Sequence, residues 1–493
     1  MKKSSPSSYS IKPIGLALGL IAFLAIAAVD FPTSSIKYMA AISLLTAIWW
    51  TTEALPLSIT SLVPFVLIPL FGIMKSDDVA AEYFNSTIMI YLGGFLIALA
   101  MEKWNLHKRI SIFLIKIIGT NPSKILLGFM LASMFLSMFI SNTATAVMLF
   151  PIGLSFILQV EDMFPKEQTS NFSTALMLGI AYAASIGGVA TLIGTPPNLI
   201  FQRVYQMNFP DAPAISFTTW AAFAFPYALI FIFVAYLVLC KFLFRPSKDL
   251  QIKKDFIIEE YVKLGRLTYE EKWVLALFAV ISILWLSRAD IDLGFITIPG
   301  WSSLLPSKKF IDDGTVAIAI GILLFVIPNK ERSAKLLDES IIKKIPWNVV
   351  LLFGGGFALA KGFASSGLAN YIGNQFAVIS EASSVVMTAS ISFFMTFVTE
   401  VTSNTATSNI MMPILASIAK ANSINPLLLM VPAIISVSMA FMLPVATPPN
   451  AIVYGSGRIR IIDMVKAGII LNLLGVIVVT ALFYTLGFVV YGL

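Results

Sequence analysis

The sequence predicts an all-α polytopic membrane protein. Three observations carry that expectation: too few charges for a water-facing surface, a series of apolar runs near bilayer length, and a set of helix-breaking motifs that occurs twice. Hydrophobic residues make up 58% of the chain and charged residues 12%, with a mean hydropathy of +0.88. A soluble domain carries about a quarter of its residues as charges.

The apolar runs are Ile14–Val29, Ile36–Trp50, Ser58–Met74, Ile88–Met101, Phe217–Leu243, Lys272–Leu286, Val316–Pro328, Val349–Ala360 and Ala467–Tyr491. Many approach the roughly 20 residues a helix needs to cross the hydrocarbon core. Lys2, Lys3 and Lys12 precede the first run as in a signal peptide. No A-x-A-like cleavage site closes that run, so it reads as a retained first helix. The longest polar interval, about Arg245 to Lys272, is too short for a core of its own and reads as a connector. The net charge of +7 needs no nucleic-acid partner, because basic residues gather in the cytoplasmic loops of membrane proteins. With one cysteine, Cys240, and one histidine, His107 beside Lys108 and Arg109, there is no material for a disulfide, a His/Cys metal cluster or a Ser–His pair. His107 reads as an interfacial basic residue.

The chain repeats itself. Gly93-Gly94-Phe95, Ser141-Asn142-Thr143-Ala144-Thr145 and Thr195-Pro196-Pro197-Asn198 recur in the same order as Gly355-Gly356-Phe357, Ser403-Asn404-Thr405-Ala406-Thr407 and Thr447-Pro448-Pro449-Asn450. The first two motifs are equally spaced, 141 − 93 = 48 and 403 − 355 = 48. The third spacing differs, 195 − 141 = 54 against 447 − 403 = 44, which places an insertion near Glu161–Asn171, expected as a polar surface loop.

Basic clusters set an orientation. Lys2, Lys3 and Lys12; Lys103, Lys108 and Arg109; Lys248, Lys253, Lys254, Lys263 and Arg266; Lys330, Arg332, Lys335, Lys343 and Lys344; and Arg458 and Arg460 fall on one side if the chain crosses eleven times. The N-terminus is then cytoplasmic and the C-terminus external. The helix with Gly93 runs inward and that with Gly355 outward, making the halves inverted repeats, a recurrent design of secondary transporters. The expected organisation is residues 1–35 as tail and first helix, 36–244 as the first inverted repeat, 245–271 as a cytoplasmic connector and 272–493 as the second repeat.

Each Ser-Asn-Thr motif lies between apolar stretches rather short for two crossings, Ile125–Ile140 and Ala146–Leu158, then Val385–Val398 and Ile410–Ile418. A re-entrant hairpin with the polar triplet at its tip fits better, since non-helical backbone at membrane depth must line a cavity or be buried in protein. The tandem prolines make a second break in each half by removing donors and pushing the preceding residue out of helical geometry. Plain helix-joining hydrogen bonds are the alternative for any single Ser or Thr; four breaks in two matched pairs favour a binding site. Hydroxyls, carboxamides and free carbonyls suit a hard cation and a carboxylate. Neither tip holds a lysine or arginine, so a dianion needs co-bound cations to offset its desolvation, with helix N-termini helping. Glu53, Glu102, Lys361 and Glu400 are further charges in or beside apolar segments, open to structural or functional roles.

At these residues, and at Trp49-Trp50-Thr51-Thr52-Glu53-Ala54-Leu55-Pro56, the sequence closely resembles the divalent anion/sodium symporter family, also called solute carrier family 13, over nearly its whole length. The resemblance implies eleven transmembrane helices with two re-entrant hairpins, a homodimer, and a scaffold beside an elevator-type transport domain. It implies sodium as the co-transported ion, at least two per cycle. Carried over by position, one sodium site uses Ser137, Ser141, Asn142 and the backbone of Gly194; the other uses Thr399, Ser403, Asn404 and the backbone of Ala446. The substrate, a C4 dicarboxylate such as succinate, malate or fumarate, is held by Asn142, Thr143, Asn404 and Thr405 with Thr447 and Pro448. An exchanger, a citrate or sulfate carrier of the same fold, and an anion channel remain alternatives. An enzyme has no catalytic set here, and an ATP-driven pump has no G-x-x-x-x-G-K-[ST] loop.

Overall fold

A computed structural model describes residues 8–119, 121–247, 250, 255–292, 297–307, 310–375 and 383–493. Lys2, Lys3, Lys248, Lys253 and Lys254 lie outside the described residues. Helices dominate; the described strands are one antiparallel pair, Ile291–Asp292 with Thr297–Ile298.

The chain opens with α1 (Ser8–Ala27) and α2 (Ser34–Thr51), then the short helices α3 (Leu57–Thr60), α4 (Val63–Leu70) and α5 (Ser76–Ala80). The first motif set occupies α6 (Ser86–Lys103), α7 (Leu106–Ile118), α8 (Pro122–Ser137), α9 (Asn142–Met163), α10 (Lys166–Val189), α11 (Pro196–Asn208) and α12 (Phe217–Leu237). Three helices follow: α13 (Asp255–Lys263) inside the connector, α14 (Tyr269–Leu286) and α15 (Asp313–Val326). The second set occupies α16 (Trp347–Ser366), α17 (Leu368–Gln375), α18 (Ser384–Thr399), α19 (Asn404–Ala421), α20 (Pro426–Val437), α21 (Pro448–Tyr454) and α22 (Ile461–Leu482), before the terminal α23 (Phe488–Tyr491). From α6 and from α16 the same order of elements runs forward, with each motif at the same place: Gly-Gly-Phe inside a long helix, Ser-Asn-Thr opening a helix, and the tandem prolines opening a shorter one.

Among the described residues, six helical segments are long and apolar enough to span a membrane, and six further apolar helices are shorter. Large apolar side chains stand exposed along them, Leu24, Val66, Leu70, Phe242 and Ile477 among them. A surface of that kind belongs against lipid rather than water. In the stretches expected as re-entrant hairpins the arms differ in length: α9, with 22 residues, is among the segments long enough to span, whereas α8 and α18 are shorter. Both α8 and α18 have 16 residues, about 24 Å at 1.5 Å per residue, short of the roughly 30 Å hydrocarbon core.

The insertion is helical, contrary to the loop expected from its polarity. Glu161–Asn171 closes α9 and opens α10, with only the chain at Phe164 and Pro165 outside a helix. Both helices are longer than their counterparts, 22 residues in α9 against 18 in α19 and 24 in α10 against 12 in α20. Pro165 explains the break, since it takes the N-cap of α10 where its missing N–H costs nothing.

The chain forms two compact units, each drawing on both halves of the sequence. The first comprises Met1–Ile88, Leu199–Ala214 and Pro346–Val437; there α19 packs on α16, α17 and α20, and α18 packs on α20. The second comprises Met89–Asn198, Ile215–Ile345 and Ser438–Leu493. Its centre is α10, buried on all sides from Phe172 to Val189 and packed against α8, α9, α12 and α21. Only small residues allow such crowding, and Gly179, Ala183, Ala184, Ser185, Gly187 and Gly188 supply them.

Within the second unit the connector is pinned to α7. Arg109, one of the basic residues read as marking an inner edge, is buried and forks onto Glu271 at 2.8 and 3.0 Å, and also donates to the carbonyls of Leu264 and Gly265. Glu271 completes a capping box with Thr268 at the start of α14. Arg109→Ala strands a buried carboxylate, so it is expected to cost about 3–5 kcal/mol, measured as a lowered melting temperature of the detergent-purified protein.

Candidate functional site

At the first tip, Ser141 caps α9 by accepting a hydrogen bond from Ala144 N at 3.2 Å. Asn142 follows as the first helical residue, and its Oδ1 accepts from the Ser137 hydroxyl at 2.6 Å. The end of α10 closes on this pair. A methyl group on Gly188 would lie 2.4 Å from Asn142 Oδ1, and one on Gly194 would lie 2.9 Å from Ser137 O, contacts that no real Cβ makes. Thr191 ties the same stretch down by donating its hydroxyl to Met138 O. Ser137, Ser141, Asn142 and Gly194 therefore converge, all within the second unit.

The second tip repeats this chemistry in the first unit. The Thr399 hydroxyl lies 2.6 Å from Asn404 Oδ1 and 2.8 Å from Val437 O. One proton serves two acceptors there, leaving lone pairs in surplus, as suits a cation. Ser403 is the N-cap of α19 but makes no capping bond with its side chain. Asn404 and Thr405 are half-buried. Ala446, Thr447 and Pro448 belong to the second unit. There Thr447 caps α21 by accepting from Asn450 N at 3.4 Å, and Pro448 is exposed at the first helical position. The helix they open, α21, packs against α9 and α10. Asn142 is half-buried and Thr143 exposed.

Both proline breaks are stitched by the motif's own asparagine. Asn198 Nδ2 donates to Gly188 O at 3.0 Å and Thr191 O at 2.7 Å. Asn450 Nδ2 donates to Ala440 O at 3.1 Å and Leu443 O at 3.0 Å.

The other charged candidates separate. Lys361 is an ion-pair partner: its Nζ lies 2.9 Å from Glu82 Oε1, while Arg203 Nη2 lies 2.7 Å from Glu82 Oε2. Glu53 and Glu102 are exposed, Glu53 in a left-handed backbone conformation at φ 48°. Glu400 is buried at the end of α18. His107, read as interfacial, is buried, with Nδ1 2.9 Å from Met101 O at the joint of α6 and α7. A helix joint needs its freed carbonyl paired, which explains the placement.

Sequence reasoning missed Glu82 and Arg203. Glu82 stands in a polar stretch after α5 where nothing local marks it as buried, yet its side chain is 2% exposed between two cations in the first unit. Glu82→Gln leaves Arg203 facing Lys361. The expected cost is about 2 kcal/mol, below that of a fully buried pair because both cations reach solvent, read again as thermal stability. A second expectation concerns the first tip: Gly188→Ala drives a methyl into Asn142 and is expected to abolish ligand-dependent stabilisation of the purified protein while it still elutes as a single species.

Residues 12–492 match the family described as the sodium:sulfate symporter transmembrane region. The chain belongs to the sodium:sulfate symporter family. It is a membrane transporter and not an enzyme. Among curated relatives, the symporter is 41% identical to the sodium-dependent dicarboxylate transporter SdcS of Staphylococcus saprophyticus, over 98% of this chain and 93% of that one. It is 42% identical to SdcS of Staphylococcus aureus strain NCTC 8325, over 100% and 94%. Solved structures of similar fold are the YdaH transporter of Alcanivorax borkumensis, at a TM-score of 0.59 and 14% identity over 98% of this chain and 100% of that one, and MtrF of Neisseria gonorrhoeae, at 0.56 and 14% over 98% and 95%.

Proposed function

We propose that this symporter is a secondary active transporter of the cell membrane that couples entry of at least two sodium ions to uptake of a C4 dicarboxylate such as succinate, malate or fumarate. The observation that carries the reading is the matched pair of tips: each sets an asparagine Oδ1 against a neighbouring hydroxyl, and neither holds a cationic side chain. The name borne by the SdcS relatives, 41–42% identical over almost the whole chain, supports the choice of ion and substrate.

Sodium meets its first set of oxygens at Ser137, Ser141, Asn142 and the Gly194 backbone, and its second at Thr399, Ser403, Asn404 and the Ala446 backbone. The hydroxyl protons of Ser137 and Thr399 turn away from Asn142 and Asn404, freeing lone pairs for the ion. Bound sodium then lowers the cost of bringing a dianion to the carboxamides of Asn142 and Asn404 and the hydroxyls of Thr143, Thr405 and Thr447, beside Pro448. Two sodium ions balance one dicarboxylate; each further ion adds a net charge on which the membrane potential acts with about 2.3 kcal/mol per 100 mV. Eleven crossings, inverted repeats, a cytoplasmic N-terminus, an external C-terminus, a homodimer in lipid, and a scaffold of the first helices of each half beside an elevator-like transport domain complete the proposal. The shared order of elements from α6 and from α16 is its structural support.

In proteoliposomes, labelled succinate is expected to accumulate under an inward sodium gradient and not under an equal potassium gradient; equal uptake in both would end the sodium-driven reading. Asn142→Ala and Asn404→Ala are each expected to lower the initial rate at least a hundredfold without altering the elution profile, and a normal rate in either removes that residue from the site.

A further inference from the structure

The role so far unassigned in the Thr-Pro-Pro-Asn motifs is that of the asparagines. Asn198 and Asn450 are fully buried, and each spends both amide protons on main-chain carbonyls of the segment just before the break. The two constellations superpose in sequence at one offset: 440 − 188, 443 − 191, 446 − 194 and 450 − 198 all equal 252. In the first, a turn runs from Thr191 to Gly194, with Gly194 N donating to Thr191 O at 3.4 Å and to the Thr191 hydroxyl at 3.2 Å; Asn198 Nδ2 binds that same Thr191 carbonyl. In the second, Ala446 N donates to Leu443 O at 3.2 Å, and Asn450 Nδ2 binds that same carbonyl. The turn that presents each proposed backbone ligand is thus clamped at its opening carbonyl by the asparagine that follows the prolines.

We propose that Asn198 and Asn450 are positioning residues, one for each sodium site, that hold the Thr191–Gly194 and Leu443–Ala446 turns in the shape that aims the Gly194 and Ala446 carbonyls at the ion. The inference rests on the sodium-coupled reading. Neither asparagine needs to touch sodium. The break itself explains the need: the chain leaves helical geometry ahead of the prolines, so these carbonyls lose the i+4 donors that a continuous helix would return, and the buried carboxamide supplies donors to two of them at once. Helix-joining alone does not account for the arrangement, since the bonds close within one break and land on the turn that ends at the ligand. The Oδ1 atoms of Asn198 and Asn450, buried and accepting no hydrogen bond from a described residue, define the rival role, that of a direct ligand.

The test separates the two roles at each position. Asn→Leu removes donors and acceptor at similar volume; Asn→Asp removes the donors, keeps the oxygens and adds a charge that attracts cations. Positioning predicts that both variants, at 198 and at 450, raise the sodium concentration for half-maximal succinate uptake by about 10- to 100-fold, as loss of an outer-shell support does at metal sites. Half-saturating succinate at saturating sodium is expected to move less than threefold. Retained or tighter sodium affinity in the Asp variants, with loss in the Leu variants, overturns positioning in favour of direct ligation; unchanged affinity in both, or equal loss of sodium and succinate affinity, overturns it as well. Sodium-dependent thermal stabilisation of the purified protein gives the same comparison without transport. Asn→Ser, which keeps one donor, covers the case in which the other variants fail to fold; it is expected to fall between wild type and the full loss, and normal affinity in it counts against the proposal. Wild-type protein without sodium-dependent succinate uptake defeats the proposed function itself, whereas active wild type with normal asparagine variants defeats only this inference.

Discussion

A buried backbone that leaves helical geometry must find partners for the groups it releases, and much of this structure answers that demand. In lipid or in a dry protein interior no water stands in for a lost helical bond. The chain breaks ahead of α9 and α19 and ahead of the two proline-opened helices, and at each of these breaks side chains take over what the helix gave up. Thr191 donates to Met138 O, Thr399 lies within reach of Val437 O, and Asn198 and Asn450 each bridge two carbonyls. The residues that make the breaks survivable are the same polar residues that surround the candidate ion sites. Stability and the proposed binding therefore draw on neighbouring atoms.

The charges follow the opposite rule. Several buried ionised side chains are held in ion pairs: Arg109 with Glu271 in the second unit, Glu82 with Arg203 and Lys361 in the first. Such pairs hold segments far apart in sequence at a fixed place and have little field left to offer a solute. The tips, by contrast, hold no lysine or arginine. Burying a dianion among groups that carry no positive charge is costly unless cations come with it, which is the physical basis of the proposed coupling.

Legibility in the sequence was uneven, and the reasons are physical. Breaks were readable because proline and Ser-Asn-Thr act locally, on the residues immediately beside them. The insertion was misread because polarity alone does not distinguish a loop from a solvated helix end; Pro165, an N1-type signal at the N-cap, was the better clue. Glu82 was invisible because its burial comes from Arg203 and Lys361, 121 and 279 residues away. The two tips also differ in a detail that identical motifs conceal: Ser141 spends its hydroxyl on capping α9, whereas the Ser403 side chain does not cap α19.

The sequence by itself determined that the chain lives in a membrane, that its motifs come in two matched sets, and which side chains stand at each break, because composition and local backbone chemistry act over a few residues. Only the tertiary structure decided that α10 is the buried axis of the second unit, that each compact unit draws on both halves of the chain, and that the asparagines after the prolines reach back across their own breaks. Those outcomes depend on which distant surfaces exclude water together, and a linear pattern does not encode that distance.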